Sequence, residues 1–135
     1  MKIREIINEG LAQDKANLII KKFIQFAQDH LELAELPSIS LNTNSHISIE
    51  HKSFGGYSPS DKSINVMMSN RHIQDVLRTI AHELTHYKQD LNGELNADSG
   101  KDGSPQENSA NSTAAIILRK WGKLHPELFG YEAIE

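Results

Sequence analysis

The five residues His82-Glu83-Leu84-Thr85-His86 constrain this chain most, because they lie inside a run whose apolar spacing predicts a helix on independent grounds. From Arg71 to Asp90 the residues Ile73, Val76, Leu77, Ile80, Leu84 and Tyr87 recur at three- and four-residue intervals, with no proline or glycine between them. Ser69 or Asn70 can cap the start, and Gly93 follows the last periodic residue. Side chains four apart on a helix stand one turn above each other, so both imidazoles can reach a single tetrahedral zinc. Glu83 then points beside the metal. There a carboxylate can take a proton from metal-bound water, whose pKa the cation lowers to about 7, and pass it to a leaving amine. The competing reading, two histidines and a glutamate on a solvated helix face, leaves the coincidence of motif and helix unexplained. His82, Glu83 and His86 fall beside the apolar stripe, which predicts a half-buried cleft at the edge of the core.

Two histidines do not complete a catalytic zinc site, which usually has three protein ligands and an open position. The chain has no cysteine, so the third ligand is a histidine or a carboxylate. A metzincin continuation requires a glycine at position 89 and a histidine at position 92, where this chain has Gln89 and Asn92. Glu94, Asp98, Asp102 and Glu107 remain. Glu107 is favoured because it alone opens a second helix, in which Ser104-Pro105-Gln106-Glu107 supplies the start and Ala110, Ala114, Ile117, Leu118 and Trp121 the apolar spacing. The same Ser-x-x-Glu pattern is also a capping box, in which Glu107 folds back onto the amide of Ser104. Asn111, four residues on, shares a face with Glu107; its amide oxygen can accept from the outer ring nitrogen of His82 or His86, unless it is simply solvated.

These residues resemble the gluzincin zinc metallopeptidases, in which a glutamate from a later helix joins the two histidines of His-Glu-x-x-His. The stretch from Ile64-Asn65-Val66 through the motif helix to Glu107-Asn108-Ser109-Ala110 is similar to the compact SprT-like and IrrE-like protease domains, over about half the chain, roughly Phe54 to Leu118. The resemblance implies an α+β, zincin-like fold holding one Zn2+ ion, with His82, His86 and Glu107 as metal ligands and Glu83 as the catalytic base. It implies a zinc metalloendopeptidase acting on a protein or peptide substrate. Larger gluzincins often carry an aspartate where this chain has Asn111, which is therefore a candidate supporting residue only. By analogy with their oxyanion donors, Tyr57, Tyr87, His125 and Tyr131 are candidates for that role. The opening Met1-Lys2-Ile3-Arg4-Glu5-Ile6-Ile7 also resembles the starts of small tailed-phage proteins, which points to a host cytoplasm or a virion. Two other functions fit the same residues: a zinc amidase acting on cell-wall peptides, and a noncatalytic virion or partner-binding protein with a structural zinc.

At 135 residues the chain is read as one domain over 1–135, with a modest single core. No apolar run approaches the ~20 residues that span a bilayer, and no signal-peptide core is present, so a cytoplasmic location is expected. A net charge of −4, from 14 basic and 18 acidic residues without long blocks, does not indicate nucleic-acid binding. A helix is expected from Leu11 to about Leu36, ended by Pro37. A hairpin follows, with Ile39 and Leu41 on one strand, Ile47 and Ile49 on the other and a turn over residues 42–45. His30, His46 and His51 read as solvated. Gly55 to Asp61 reads as a turn-rich connection into a third strand, Ser63 to Met68, and the Gly55-Gly56 pair fits either a close backbone approach or a plain turn. Leu91 to Gly103 reads as a loop. The expected order is thus helix, three-stranded sheet, zinc helix and ligand helix, with the strand before the zinc helix lining the cleft and an extended peptide pairing with a sheet edge.

Overall fold

The computed structural model describes residues 12–43 and 55–127. It is an α+β arrangement of three helices and a small three-stranded sheet: α1 (Gln13–Leu31), β1 (Ser38–Asn42), β2 (Gly55–Ser58), β3 (Ser63–Met67), α2 (Ile73–Leu91) and α3 (Pro105–Leu124). No helix among these residues is long and apolar enough to cross a membrane.

Each helix buries one stripe. On α1 it is Ala16, Ile20, Phe23, Ala27 and Leu31; on α3 it is Ala110, Ala114, Ile117 and Trp121. Three- and four-residue steps keep these side chains on one face, and full burial of each large one contributes about 1.5–3 kcal/mol. Trp121 closes the stack edge-on against Phe23, with ring centroids 5.5 Å apart. Leu18 falls off this stripe and is 54% exposed.

α1 ends at Leu31, five residues before the expected stop. Glu32 adopts a left-handed conformation (φ 56°), its amide donates to the carbonyl of Asp29, and the Leu33 amide donates to that of Gln28. This pair of bonds with Leu33 tucked back is the Schellman ending, normally marked by glycine. With glutamate in that position the stop carried no sequence signal. Lys88 of α2 donates to the carbonyl of Leu31 at 2.8 Å, tying the end of α1 to the middle layer.

The sheet has the order β1-β3-β2. β3 is central, parallel to β1 and antiparallel to β2. Its Ile64 and Val66 are fully buried, while Ile39 and Leu41 of β1 pack at the margin of the core. The hairpin partner expected over Ile47 and Ile49 lies outside the described residues, as do His46 and His51. Gly55 to Ser58, expected as part of a connection, is instead a strand paired with β3, from Gly55 opposite Val66 to Ser58 opposite Ser63. The strand that forms an edge beside α2 is therefore β2, and the strand immediately before α2 is the sheet's centre.

Gly55 explains why β2 can lie so close to the helix. A Cβ there would sit 2.5 Å from Thr79 Cγ2 and 3.2 Å from the carbonyl oxygen of Asn65. Gly56 has open space at the same position, so only one of the two glycines is required by packing. Beyond it, Tyr57 donates its phenol hydrogen to Asp90 Oδ2 (2.6 Å), and Lys62 donates to the same oxygen (2.6 Å). This strut fixes β2 against the far half of α2.

Candidate metal centre

α2 is capped by His72, whose Nδ1 accepts from the Gln74 amide at 3.0 Å; Ser69 and Asn70 do not take that role. Its face toward β2 and α3 carries polar residues among the apolar ones: Glu83, Thr85, His86 and Gln89 are all buried. Thr85 satisfies its hydroxyl within the helix, donating to the carbonyl of Ala81 at 2.8 Å. The other three, with His82, face a common point.

At the start of α3, Ser104 Oγ accepts from the Glu107 amide at 3.0 Å, while Ser104 also donates to the carbonyl of Ser99 at 2.6 Å. Pro105 occupies the first helical position, where no amide hydrogen is needed. Only half of a capping box is present. The Glu107 carboxylate, released from local capping, reaches across to α2. Its Oε1 lies 2.9 Å from His82 Nε2 and its Oε2 3.0 Å from His86 Nε2, and the two histidine nitrogens are 3.1 Å apart.

Glu94, Asp98 and Asp102, the other acids weighed as third ligands, stay exposed on the connecting loop. Asp98 pairs with Lys101 at 2.9 Å instead. Among the described residues, His82, His86 and Glu107 are the group of ligating side chains close enough to share an ion.

Each histidine has a partner behind it. Gln89 Nε2 donates to the carbonyl of Gln106 (3.0 Å), which turns its Oε1 to His86 Nδ1 at 2.8 Å. With Gln89 Oε1 as acceptor, Nδ1 is the donor of that bond and His86 turns its Nε2 to the cluster. Gln89 entered the sequence reading only as a residue that excludes the metzincin pattern; its spacing of three from His86 was the signal that marks it as a neighbour. Behind His82, Asn111 makes a side-chain hydrogen bond that favours the charged ring, as an amide oxygen accepting from a ring N–H does. Burial outweighs it and pushes His82 below its ordinary pKa; the Glu107 carboxylate opposes that shift and His86 adds to it. Glu83 lies beside the cluster, its Oε1 3.9 Å from His82 Nε2. Burial pushes its carboxyl up to about 7, against the opposing pull of His86 and with a further push from Glu107.

These groups open into a cleft of about 510 Å³, walled by Gly55, Tyr57 and Pro59 on one side and by Leu95, Asn96 and Ser99 on the other. No family model, curated protein or solved structure matches the chain. The case for what this cleft does rests on its donor atoms. His86 Nε2 faces a carboxylate oxygen and a second imidazole nitrogen, each within about one hydrogen-bond length, an arrangement that suits a shared cation, either a proton or a metal ion. Two imidazoles and one carboxylate, with no thiolate, make a group close enough to bind a metal ion.

The residues proposed as oxyanion donors are placed less favourably. Tyr57 borders the cleft, but its hydroxyl is engaged by Asp90, and burial with that bond drives its pKa upward. Tyr87 is buried edge-on against Tyr57, with ring centroids 5.9 Å apart. His125 stacks on Trp121 at 3.9 Å and pairs with Glu127, at the far end of α3 from Glu107. Tyr131 lies outside the described residues.

Proposed function

We propose that the chain is a zinc-dependent metallopeptidase of the compact gluzincin type, hydrolysing peptide bonds with Glu83 as general base. The observation that carries this reading is the convergence of His82, His86 and Glu107 on one point, with a buried carboxylate beside them at the floor of an open cleft. His82, His86 and Glu107 would hold the zinc, which when bound would supply Lewis acidity toward a scissile carbonyl and a water.

The chain's own residues do the rest. Gln89 and Asn111 hold the imidazoles of His86 and His82, whose Nε2 atoms face Glu107 and would ligate an ion held there. Glu83, raised toward neutrality by burial, is suited to hold and move a proton: it takes one from the attacking water and delivers it to the departing nitrogen. Gly55 keeps the strand wall free of a side chain that would press toward Glu83 Cγ, only 3.9 Å from where a Cβ would stand. The cleft walls of β2 and of the loop between α2 and α3 leave room for an extended segment between them.

Elemental analysis of the wild type, His82→Ala and Glu107→Ala, paired with casein cleavage by the wild type and Glu83→Gln, tests the reading. The wild type is expected to carry one zinc, both ligand variants to lose it, and Glu83→Gln to keep zinc while cleavage falls by at least about a hundredfold. Cleavage that persists in Glu83→Gln overturns the role of Glu83. A wild type that takes up no zinc when it is supplied overturns the reading as a whole.

A further inference from the structure

The cleft does not stop at His82. A hollow of about 480 Å³ shares Gly55, His82 and Glu83 with the site and is bordered by Arg71, Arg78 and Asn111. A second, also about 480 Å³, takes over at Arg78 and Ala115 and continues past Leu118, Arg119 and Lys123. Moving away from the site, the lining residues descend α2 and climb α3, so the path follows the seam between two antiparallel helices. From Asn111 to Lys123 it covers ~18 Å at the helical rise of 1.5 Å per residue, the reach of about five extended residues.

The charge on this path runs against that of the molecule. The whole chain carries −4, yet the path is bordered by four cations: Arg78, Arg119 and Lys123, which are exposed, and Arg71, whose guanidinium donates to the carbonyls of Met67 and Asp75 and to Thr79 Oγ1. The acid set among them is Asp75, which pairs with Arg78 at 3.2 Å while both side chains are more than half exposed. An exposed pair of that kind is worth little and exchanges readily for another carboxylate. Gln74, which borders the far hollow, has a buried side-chain amide nitrogen with no acceptor among the described residues. Ala115 and Leu118 give the path an apolar strip between the charges.

We infer that this seam binds an acidic, partly apolar stretch of the substrate polypeptide, its carboxylates two to five residues to one side of the bond that is cut. The inference rests on the peptidase reading of the adjoining site. Nucleic acid is the poorer occupant, because a polyanion is repelled by the chain as a whole and four cations beside an apolar strip make a thin electrostatic footprint.

The test uses full-length, zinc-loaded Glu83→Gln protein and fluorescence anisotropy. The probes are a labelled peptide alternating Glu with Ala and Leu, the same peptide with Gln for Glu, and a single-stranded DNA oligonucleotide of equal charge. The Glu peptide is expected to bind about tenfold more tightly than the Gln peptide, with the difference fading as salt is raised. Arg78→Glu and Arg119→Glu are each expected to weaken it by about tenfold, and Lys123→Gln by less. Retained zinc and an unchanged circular dichroism spectrum establish that each exposed-site variant is folded. Equal affinity for the two peptides, or charge-reversed variants that bind as the parent does, overturns the inference, and tighter binding of the oligonucleotide reassigns the seam to nucleic acid. Casein cleavage by the wild type is measured alongside. Cleavage without acidic preference removes the seam and leaves the peptidase reading; acidic-peptide binding by a chain that holds zinc and cleaves nothing removes the peptidase reading, and with it the bound segment's assignment as substrate.

Discussion

The corners of the site at His82 and His86 use the same residue type, one turn apart on one helix, aimed at one carboxylate, but they are supported differently. His86 is backed by Gln89, a buried residue of its own helix whose amide is locked on its other side by the carbonyl of Gln106. His82 is backed by Asn111, an exposed residue on a different helix. The His86 corner thus has its orientation set by helix geometry in a dry environment, where a hydrogen bond is strong and its loss is costly. The His82 corner depends on how α3 lies against α2 and competes with water. Where the inferred seam meets the site, it meets it at the less firmly held histidine.

Glu107→Ala removes the residue that both corners share and should have the largest effect, a loss of metal affinity beyond the ~10–100-fold typical of deleting an outer partner of a ligand. Titration of the metal-free protein by calorimetry checks it. Gln89→Ala comes next. It leaves a buried ring N–H without its acceptor, so thermal unfolding should report a stability loss of about 1–3 kcal/mol, and zinc affinity should fall by ~10–100-fold. Asn111→Ala should do less on both counts, with affinity down by up to about tenfold and stability within ~0.5 kcal/mol of the parent, because water can replace an exposed amide. Equal losses for Gln89→Ala and Asn111→Ala would end the distinction between the two corners.

The smallest effect on the metal is expected from Asp90→Asn, which cuts the strut behind β2 without touching either histidine. Zinc affinity should be unchanged and stability at neutral pH lower by about 1 kcal/mol, since one partner, Lys62, is half exposed. Lys62 and then Tyr57 hold the Asp90 carboxyl below its ordinary 3.8. Its contribution is therefore fully present above that value and disappears as pH falls through the lowered one, so unfolding curves of parent and variant should converge in strong acid.

The helices were legible because burial on one face imposes a period that the sequence must carry. Ile73 through Tyr87 shows it directly, and so does Ala110 through Trp121. The bringing together of His82, His86 and Glu107 was legible for a related reason: each sits at a definable place on its helix. The strands were harder. Gly55-Gly56 has the chemistry of a turn, and only the close approach of Thr79, a tertiary fact, makes Gly55 a strand residue. The parallel pairing of β1 with β3 joins segments with no local signal linking them. The end of α1 was hidden by a glutamate in the place glycine usually holds. Gln89 and Asn111 differ in the same way: a glutamine within a helical pattern looks like any solvated residue until its burial is known.

The candidate ligands lie on α2 and α3, and none comes from the sheet. An ion bound there acts as a clasp on a helical hairpin, so its binding energy is also energy of closing that hairpin. In the metal-free chain the polar ties at the beginning of α3 are the Gln89 amide on the carbonyl of Gln106 and the Glu107 carboxylate, both to α2, and the Gln106 amide on the carbonyl of Glu94 in the connecting loop. Local opening is therefore concentrated at that junction, and the amides of the first turns of α3 become a gauge, read by hydrogen exchange, of whether the clasp is fastened.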